Sequence, residues 1–291
     1  MLNLLLQAAV DGILIGLVYA VMSVGLSLSM GILGVLNVSH SAFIMLGSFF
    51  ALGMLVFLHL DPVIAFVLAV PLFFVVGAAV HRLLIRRVER APATIGILIL
   101  FGLMVVIETG GILAWTTDTR VLTTGYTNLH FALGPLTIGW VQVLAGLLAL
   151  ALTGAIYAFL RFTMNGRAIL AMAQNRDAAA MLGMDTDRLA MIVFGIGIGA
   201  AGAGGVAIAM IFPFDPQDQI QWLSWAFLVV VLGGLGRVEN TLLAGLVIGL
   251  IQSLAGTLLP FRYVYLILYL LLFAILVVRG EGLSGVRRRA L

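Results

Sequence analysis

The sequence predicts an all-α polytopic membrane protein of about nine (eight to nine) transmembrane segments, some of them short or broken, and three observations carry that prediction. Of 291 residues, 63% are apolar and only 9% are charged, whereas an ordinary soluble domain is about 45–50% apolar and about 25% charged. Mean hydropathy is +1.22, and apolar runs long enough to cross the hydrocarbon core recur from end to end. Such runs cross as helices, because a helix satisfies its own backbone groups where water does not reach. The third observation is glycine: 34 residues, an excess that in membranes accompanies helices packed backbone to backbone. This composition excludes a soluble enzyme, a nucleic-acid binder and a disordered regulator. With no cysteine in the chain, disulfides and thiolate metal sites are excluded as well.

The first span is expected at Asp11 to Leu33, and the preceding Met-Leu-Asn-Leu-Leu-Leu run is its edge, since it lacks the basic start and cleavage pattern of a signal peptide. Further spans are expected at Ser41 to Leu58, Val63 to Val80, Thr94 to Trp115, Trp140 to Leu160, Ala190 to Ile211, Trp222 to Leu235, Thr241 to Leu258 and Arg262 to Val278. The segment Trp222 to Leu235 makes only about 21 Å of helix against a core of about 30 Å. It reads as a half-helix or a supported short span, and an eight-span arrangement with one re-entrant segment also fits the pattern. No linker or low-complexity stretch divides the chain, so residues 1–291 read as one transmembrane domain.

Orientation follows from the arginines. All fifteen basic residues are Arg, and cytoplasmic loops retain basic residues. The segment His81 to Ala93 holds Arg82, Arg86, Arg87 and Arg90; Arg161 to Leu189 holds Arg161, Arg167, Arg176 and Arg188; Arg237 and the tail residues Arg279, Arg287, Arg288 and Arg289 complete the set. In the nine-span arrangement these thirteen share one side and only Arg120 and Arg262 face the other, which places the N-terminus outside and the C-terminus in the cytoplasm. The pI near 9.7 therefore reports topology rather than affinity for nucleic acid. The absence of Lys removes the P-loop, whose chemistry needs a Lys at the nucleotide phosphates.

Three stretches bear on function. Gly197-Ile-Gly-Ala-Ala-Gly202 spells the dinucleotide fingerprint, but it lies inside an apolar span with no strand before it. Gly195, Gly199 and Gly202 are expected to serve tight helix packing instead. In the polar loop Arg161 to Leu189, Asn175 suits a helix N-cap, Asp177 the positive helix start and Gly183 a left-handed closure. The result is a short helix with Met181 and Leu182 free to enter a partner's groove, or an ordinary connector at the membrane surface. Gly34 to Gly47 and Gly236 to Gly249 share a 13-residue spacing around a polar interruption, the outline of a parallel internal repeat.

The runs Asp11-Gly-Ile-Leu-Ile-Gly-Leu-Val-Tyr-Ala-Val-Met-Ser-Val-Gly-Leu-Ser-Leu28, Gly31-Ile-Leu-Gly-Val-Leu-Asn-Val-Ser-His40 and Met45-Leu-Gly47, the Gly166-Arg-Ala start with the Gln174-Asn to Leu182-Gly loop, and Leu232-Gly-Gly-Leu-Gly236 together resemble the permease subunits of branched-chain amino acid ABC importers, a hydrophobic amino acid uptake family. The resemblance runs over almost the full length. It implies a single inner-membrane permease domain, 1–291, forming a translocation path with a second permease chain, either a different related subunit or a second copy. Two cytoplasmic ABC ATPases and a periplasmic substrate-binding protein are the implied partners, besides the lipid bilayer. By the same resemblance, Asn175, Arg176, Asp177, Ala178, Ala179, Ala180, Met181, Leu182 and Gly183, within the cytoplasmic loop 161–189, form the helix that couples to the ATPase. The chain departs from the family pattern after Asn-x-x-His, where Ser41 and Ala42 stand in place of Gly and an acidic residue. Loss of that acid leaves the substrate open among branched-chain amino acids, aromatic acids, amides and urea.

Asn37, Ser39 and His40 lie where two spans meet, and a broken helix exposes backbone groups that can line a path; a His there also serves as a cap or interhelical donor. Glu108 is the one acidic residue well inside a span, a functional candidate by its cost alone, unless it pairs with Arg120 near the outer interface. Gln252 and Ser253 give a later span a polar spot, for the path or for interhelical bonding. The four His residues, His40, His59, His81 and His130, show no HExxH spacing or adjoining carboxylate pair, so neither catalysis, a metal nor a cofactor is expected. A secondary transporter driven by an ion gradient is the alternative, with Glu108 as its only coupling group.

Overall fold

The computed structural model describes residues 1–88, 92–260 and 262–278; Arg90, Arg279 and Arg287 to Arg289 of the charge argument lie outside them. Helix α1 (Leu2–Leu33) has 32 residues and starts well before Asp11. The two polar residues that mark the edge in sequence satisfy one another inside it, Gln7 Nε2 donating to Asp11 Oδ2 one turn on at 3.0 Å. The helix ends at Gly34, whose left-handed φ of +67° turns the chain back. Residues 34–39 then run back alongside α1, so α2 (His40–Leu58) begins beside Met22, about three turns above the end of α1.

Asp61 caps α3 (Pro62–Val80), accepting from Val63 N at 2.8 Å, with Pro62 at the first helical position, where a missing N–H costs nothing. A π-helical turn, His81–Ile85, carries α3 into the short α4 (Arg86–Val88). Helix α5 (Ala93–Trp115) follows at the edge of the bundle, packed chiefly on α2. The 116–139 segment holds an antiparallel hairpin, β1 (His130–Leu133) and β2 (Leu136–Gly139), with His130 opposite Gly139. Then come α6 (Trp140–Phe162), α7 (Met164–Gln174), α8 (Arg176–Met181), α9 (Thr186–Ile211), α10 (Gln219–Gly233), α11 (Val238–Leu258) and α12 (Arg262–Val278).

All nine predicted spans coincide with helices. Among the described residues, seven helical stretches are long and apolar enough to cross a membrane, while α10 and α12 are shorter. The 15 residues of α10 make about 22 Å, and it stops at Gly234 with φ +81°. The loop expected to hold one short helix holds two, because Thr163 Oγ1 accepts from Gly166 N at 3.0 Å and starts α7 directly after α6.

The core forms around α1 and α9, the two most enclosed helices. Helix α1 packs along α11, α9 and α6, and α9 packs along α3, α1 and α2. Glycines set these approaches. A side-chain carbon on Gly16 would lie 2.7 Å from the Gly245 carbonyl oxygen, and one on Gly245 would lie 2.7 Å from that of Gly16. Gly25 meets Gly197, and Gly47 meets Gly202, in the same backbone-to-backbone manner. Helix α5 and helix α12 leave much of their apolar surface outward, Phe101, Val106 and Leu113 on one and Leu266, Leu270 and Phe273 on the other.

The two ends of the bundle differ. At one end Asp187 reaches both Arg86 and Arg176, joining the π-turn region to the 161–189 segment, and Gly236 lies against Gly31. At the other end the 116–139 segment is fastened to three neighbours. Thr137 exchanges backbone hydrogen bonds with the Gln7 side chain at 2.8 and 2.9 Å, Tyr126 Oη donates to Asp61 at 2.8 Å, and Arg120 pairs its backbone with Phe214.

Candidate functional site

The break between α1 and α2 is a buried polar junction. Asn37, Ser39, His40 and Ser41 are all fully buried. Ser39 Oγ donates to Asn37 Oδ1 at 2.7 Å, and the His40 Nε2–H donates to the Met22 carbonyl at 2.6 Å. With that proton committed, Nδ1 presents a lone pair. Among the described residues, neither His40 Nδ1 nor Asn37 Nδ2 has a hydrogen-bond partner. An acceptor and a donor, neither of them a carboxylate, thus stand at the uncapped start of α2, a place where backbone N–H groups and the helix dipole favour polar or negative atoms. Unpaired buried polar groups are costly; two of them stand together at this break, while others lie singly on Ser29, Thr153 and Gln252, and both polar atoms of Gln219 are likewise unpartnered at the start of α10.

Gln252 belongs to a different cluster. Its side chain lies beside the Tyr19 hydroxyl, its Oε1 without a hydrogen-bond partner among the described residues, and the Tyr19 ring stacks on Trp225 with centroids 5.0 Å apart. Trp225 meets Tyr265 edge-on at 6.0 Å, and the Tyr265 hydroxyl accepts from Gln221 Nε2 at 2.9 Å. These side chains join α1, α10, α11 and α12. Ser253 instead lies on the α1–α11 seam, its Cβ 3.1 Å from where a side-chain carbon on Gly12 would be.

Glu108 stands apart, half-buried on α5. Arg120 does not reach it: its guanidinium pairs with Asp118 at 3.5 Å and donates to the Trp115 carbonyl at 3.3 Å, so the alternative pairing of Glu108 with Arg120 is corrected. The interfacial partner is taken by the nearer carboxylate, two residues away in the same loop.

At the arginine end, Asn175 Oδ1 accepts from Ala178 N at 2.9 Å and starts α8. Gly183 closes it with φ +81°, its N–H donating to Ala180 O at 3.0 Å while Met184 N donates to Ala179 O at 3.1 Å. This is a Schellman closure, which uses carbonyls otherwise left without partners. Of the helix itself, Ala179 faces inward, whereas Met181 is 88% and Leu182 78% exposed. Ala178, Ala180 and Asp177 sit on the exposed side between them.

The three glycines of α9 meet α3 and α2. Gly195 faces the Phe74 ring, Gly199 faces the Val70 carbonyl oxygen, which would lie a tight 3.1 Å from a side-chain carbon there, and Gly202 is pressed by the Phe73 ring.

Sequence reasoning passed over Tyr19, Trp225 and Tyr265, because a lone aromatic in an apolar run carries no signal of its polar handle. It also passed over Ser48, whose hydroxyl donates to Gly205 O at 2.9 Å, and Asp187. In the loops at the end closed by the 116–139 segment, burial and the neighbouring Asp61 push the Tyr126 hydroxyl above the ordinary tyrosine range. Burial, with the Asp215 carboxylate adding to it, pushes the Asp218 carboxyl up, against a hydrogen bond from Asp215 N at 3.0 Å.

The profile of the family described as branched-chain amino acid transport system / permease component matches residues 8–276. The chain is similar to the high-affinity branched-chain amino acid transport system permease protein LivH of Escherichia coli (strain K12), 25% identical over 295 residues that cover 96% of this chain and 95% of LivH. LivH of Salmonella typhimurium is likewise 25% identical over 301 residues, with the same coverage. BraD of Pseudomonas aeruginosa, named as a permease protein of the same kind of system, is 23% identical over 293 residues, again covering 96% and 95% of the two chains. No solved structure matches.

Proposed function

We propose that this chain, which belongs to the family of permease components of branched-chain amino acid transport systems, lines its translocation path with the α1/α2 break and receives its driving force through α8. It is a multi-pass permease subunit of an ABC importer. In this reading it sits in the bacterial inner membrane as a single domain, 1–291, pairs with a second permease chain, takes substrate from a periplasmic binding protein and is driven by two cytoplasmic ATPases. Branched-chain amino acids, named for the relatives, are the first substrates to test. Asn37, Ser39 and His40 are assigned to the path, since the unpartnered His40 Nδ1 and Asn37 Nδ2 offer an acceptor and a donor to the polar end of a small substrate. Gln252 is assigned to holding Tyr19 against Trp225, and Ser253 to the α1–α11 seam. Glu108, half-buried on α5, is kept as a second path candidate. Gly195, Gly199 and Gly202 keep α9 close to α3 and α2.

The observation that carries the coupling assignment is the exposure of Met181 and Leu182 on a helix capped at both ends. Such a helix has almost no core of its own, and a six-residue helix does not hold itself together in water. Burial of each side chain in a groove of the ATPase contributes about 1.5–3 kcal/mol. The double variant Met181→Asp/Leu182→Asp should insert normally, yet lose the ATPase on purification and lose uptake of radiolabelled leucine. Normal amounts of co-purified ATPase together with normal uptake would make α8 a mere connector.

A further inference from the structure

Asp187 lies in the first turn of α9, two residues beyond the cap Asp185, whose Oδ1 accepts from Arg188 N at 3.0 Å. Its two carboxylate oxygens are divided between two guanidinium groups from different parts of the chain. Oδ1 takes Arg176 of α8 at 3.5 Å, and Oδ2 takes Arg86 of α4 at 3.1 Å. Helix α4 is the far end of α3, reached through the π-helical turn at His81–Ile85. One side chain therefore ties α8 to two spans that already lie against each other along Gly195, Gly199 and Gly202. The second span, α9, continues to the buried break: Gly197 meets Gly25 of α1, and Ser48 of α2 donates to Gly205 O at 2.9 Å.

We propose that Asp187 is a positioning residue that converts displacement of α8 into joint movement of α3 and α9, and so of the α1/α2 break. The proposal rests on α8 being the ATPase contact. A six-residue helix hinged on either side can be moved by its partner without moving anything else, unless something links it laterally to the spans. Here the backbone links it at its two ends and Ala179 rests against the cluster of Ile169, Met172 and Leu189, while the Asp187 pairs add a polar lateral link that reaches α4 as well as α9. The side chains involved are between 39% and 57% exposed, so the pairs add little to stability. Their removal leaves the fold and the α8 surface in place. Without the carboxylate, both of these ion pairs are lost together.

The test uses the whole transporter in proteoliposomes, with radiolabelled leucine as the probe, and reads leucine moved per ATP hydrolysed. Asp187→Asn should co-purify with the normal amount of ATPase and hydrolyse ATP, while leucine moved per ATP falls about fivefold, the size two exposed ion pairs can carry. Asp187→Glu, which keeps the charge, should restore most of the loss. Arg86→Gln should lower the same ratio, and adding Asp187→Asn to it should lower the ratio by less than the product of the two single effects, as expected for residues that share one interaction. An unchanged ratio in Asp187→Asn overturns the proposal, and so does loss of the ATPase from that variant, which would make Asp187 an assembly residue. If the wild-type protein moves no leucine, or the Met181/Leu182 double variant keeps its ATPase, it is the underlying reading that fails.

Discussion

At Gly205 the α9 backbone lies against the Ile44 carbonyl, and a side-chain carbon there would collide with it. At Gly53, on α2, the same carbon would meet nothing within 4 Å. Gly205→Val should therefore destabilise the protein by about 1–3 kcal/mol, whereas Gly53→Ala should stabilise it by about 0.5–1 kcal/mol through helix propensity alone. Thermal unfolding of the two variants in one detergent checks both signs. Asp218 offers a pH-dependent contrast. Burial first, then the Asp215 carboxylate, raises its carboxyl above the ordinary aspartate range. An acid with a raised folded-state value contributes stability at low pH that is lost as pH rises through that value. Asp218→Asn keeps an oxygen for the Asp215 N–H and removes the charge. It should melt higher than the wild type near neutral pH, with the difference vanishing on acidification below the Asp218 titration; an equal melting temperature at both ends of that range would contradict the assignment.

Helix α8 shows how an element of six residues is made from its ends inward. Asn175 and Gly183 supply the first and last hydrogen bonds, and the left-handed Gly183 is the position no β-branched residue occupies without strain. Gly183→Val should cost the closure about 1–2 kcal/mol, and hydrogen exchange at Leu182, Gly183 and Met184, whose N–H groups bond back into the helix, should accelerate. Both caps were legible in the sequence because capping is a local property of a few residues. The spans were legible for a similar reason, since each apolar run is its own evidence. Their starts were not. Helix α10 begins at Gln219 rather than Trp222, and α9 at Thr186 rather than Ala190, because polar first turns look like loop until a cap such as Asp185 is seen to hold them. The hairpin was missed because its fastening to Gln7 reaches across 130 residues. The α1/α2 break was legible as a break, but its depth was not: only the bond from His40 to Met22 places it three turns inside the bundle.

For the molecule as a whole, Arg86 and Arg176 meet at the end where α4, α8 and the start of α9 come together, and the 116–139 segment, with Arg120, closes the opposite end. A chain without cysteine permits single cysteines to be placed at will. Cysteine at Arg87 or Arg167 should be protected from an impermeant thiol reagent in cells whose outer membrane has been made permeable, and cysteine at Asp118 should be labelled. The opposite pattern would invert the orientation. The α1–α11 seam has a further consequence, for the order in which the protein is built. Gly12 and Gly16 find their partners in Gly249 and Gly245, more than two hundred residues later in synthesis. At the usual pace of a ribosome that interval is about 10–50 s, during which the first helix must wait in lipid with a bare strip of backbone facing outward. Its grooved face stays open until α11 arrives, so the close backbone seam of the finished protein is among the last contacts its synthesis can complete.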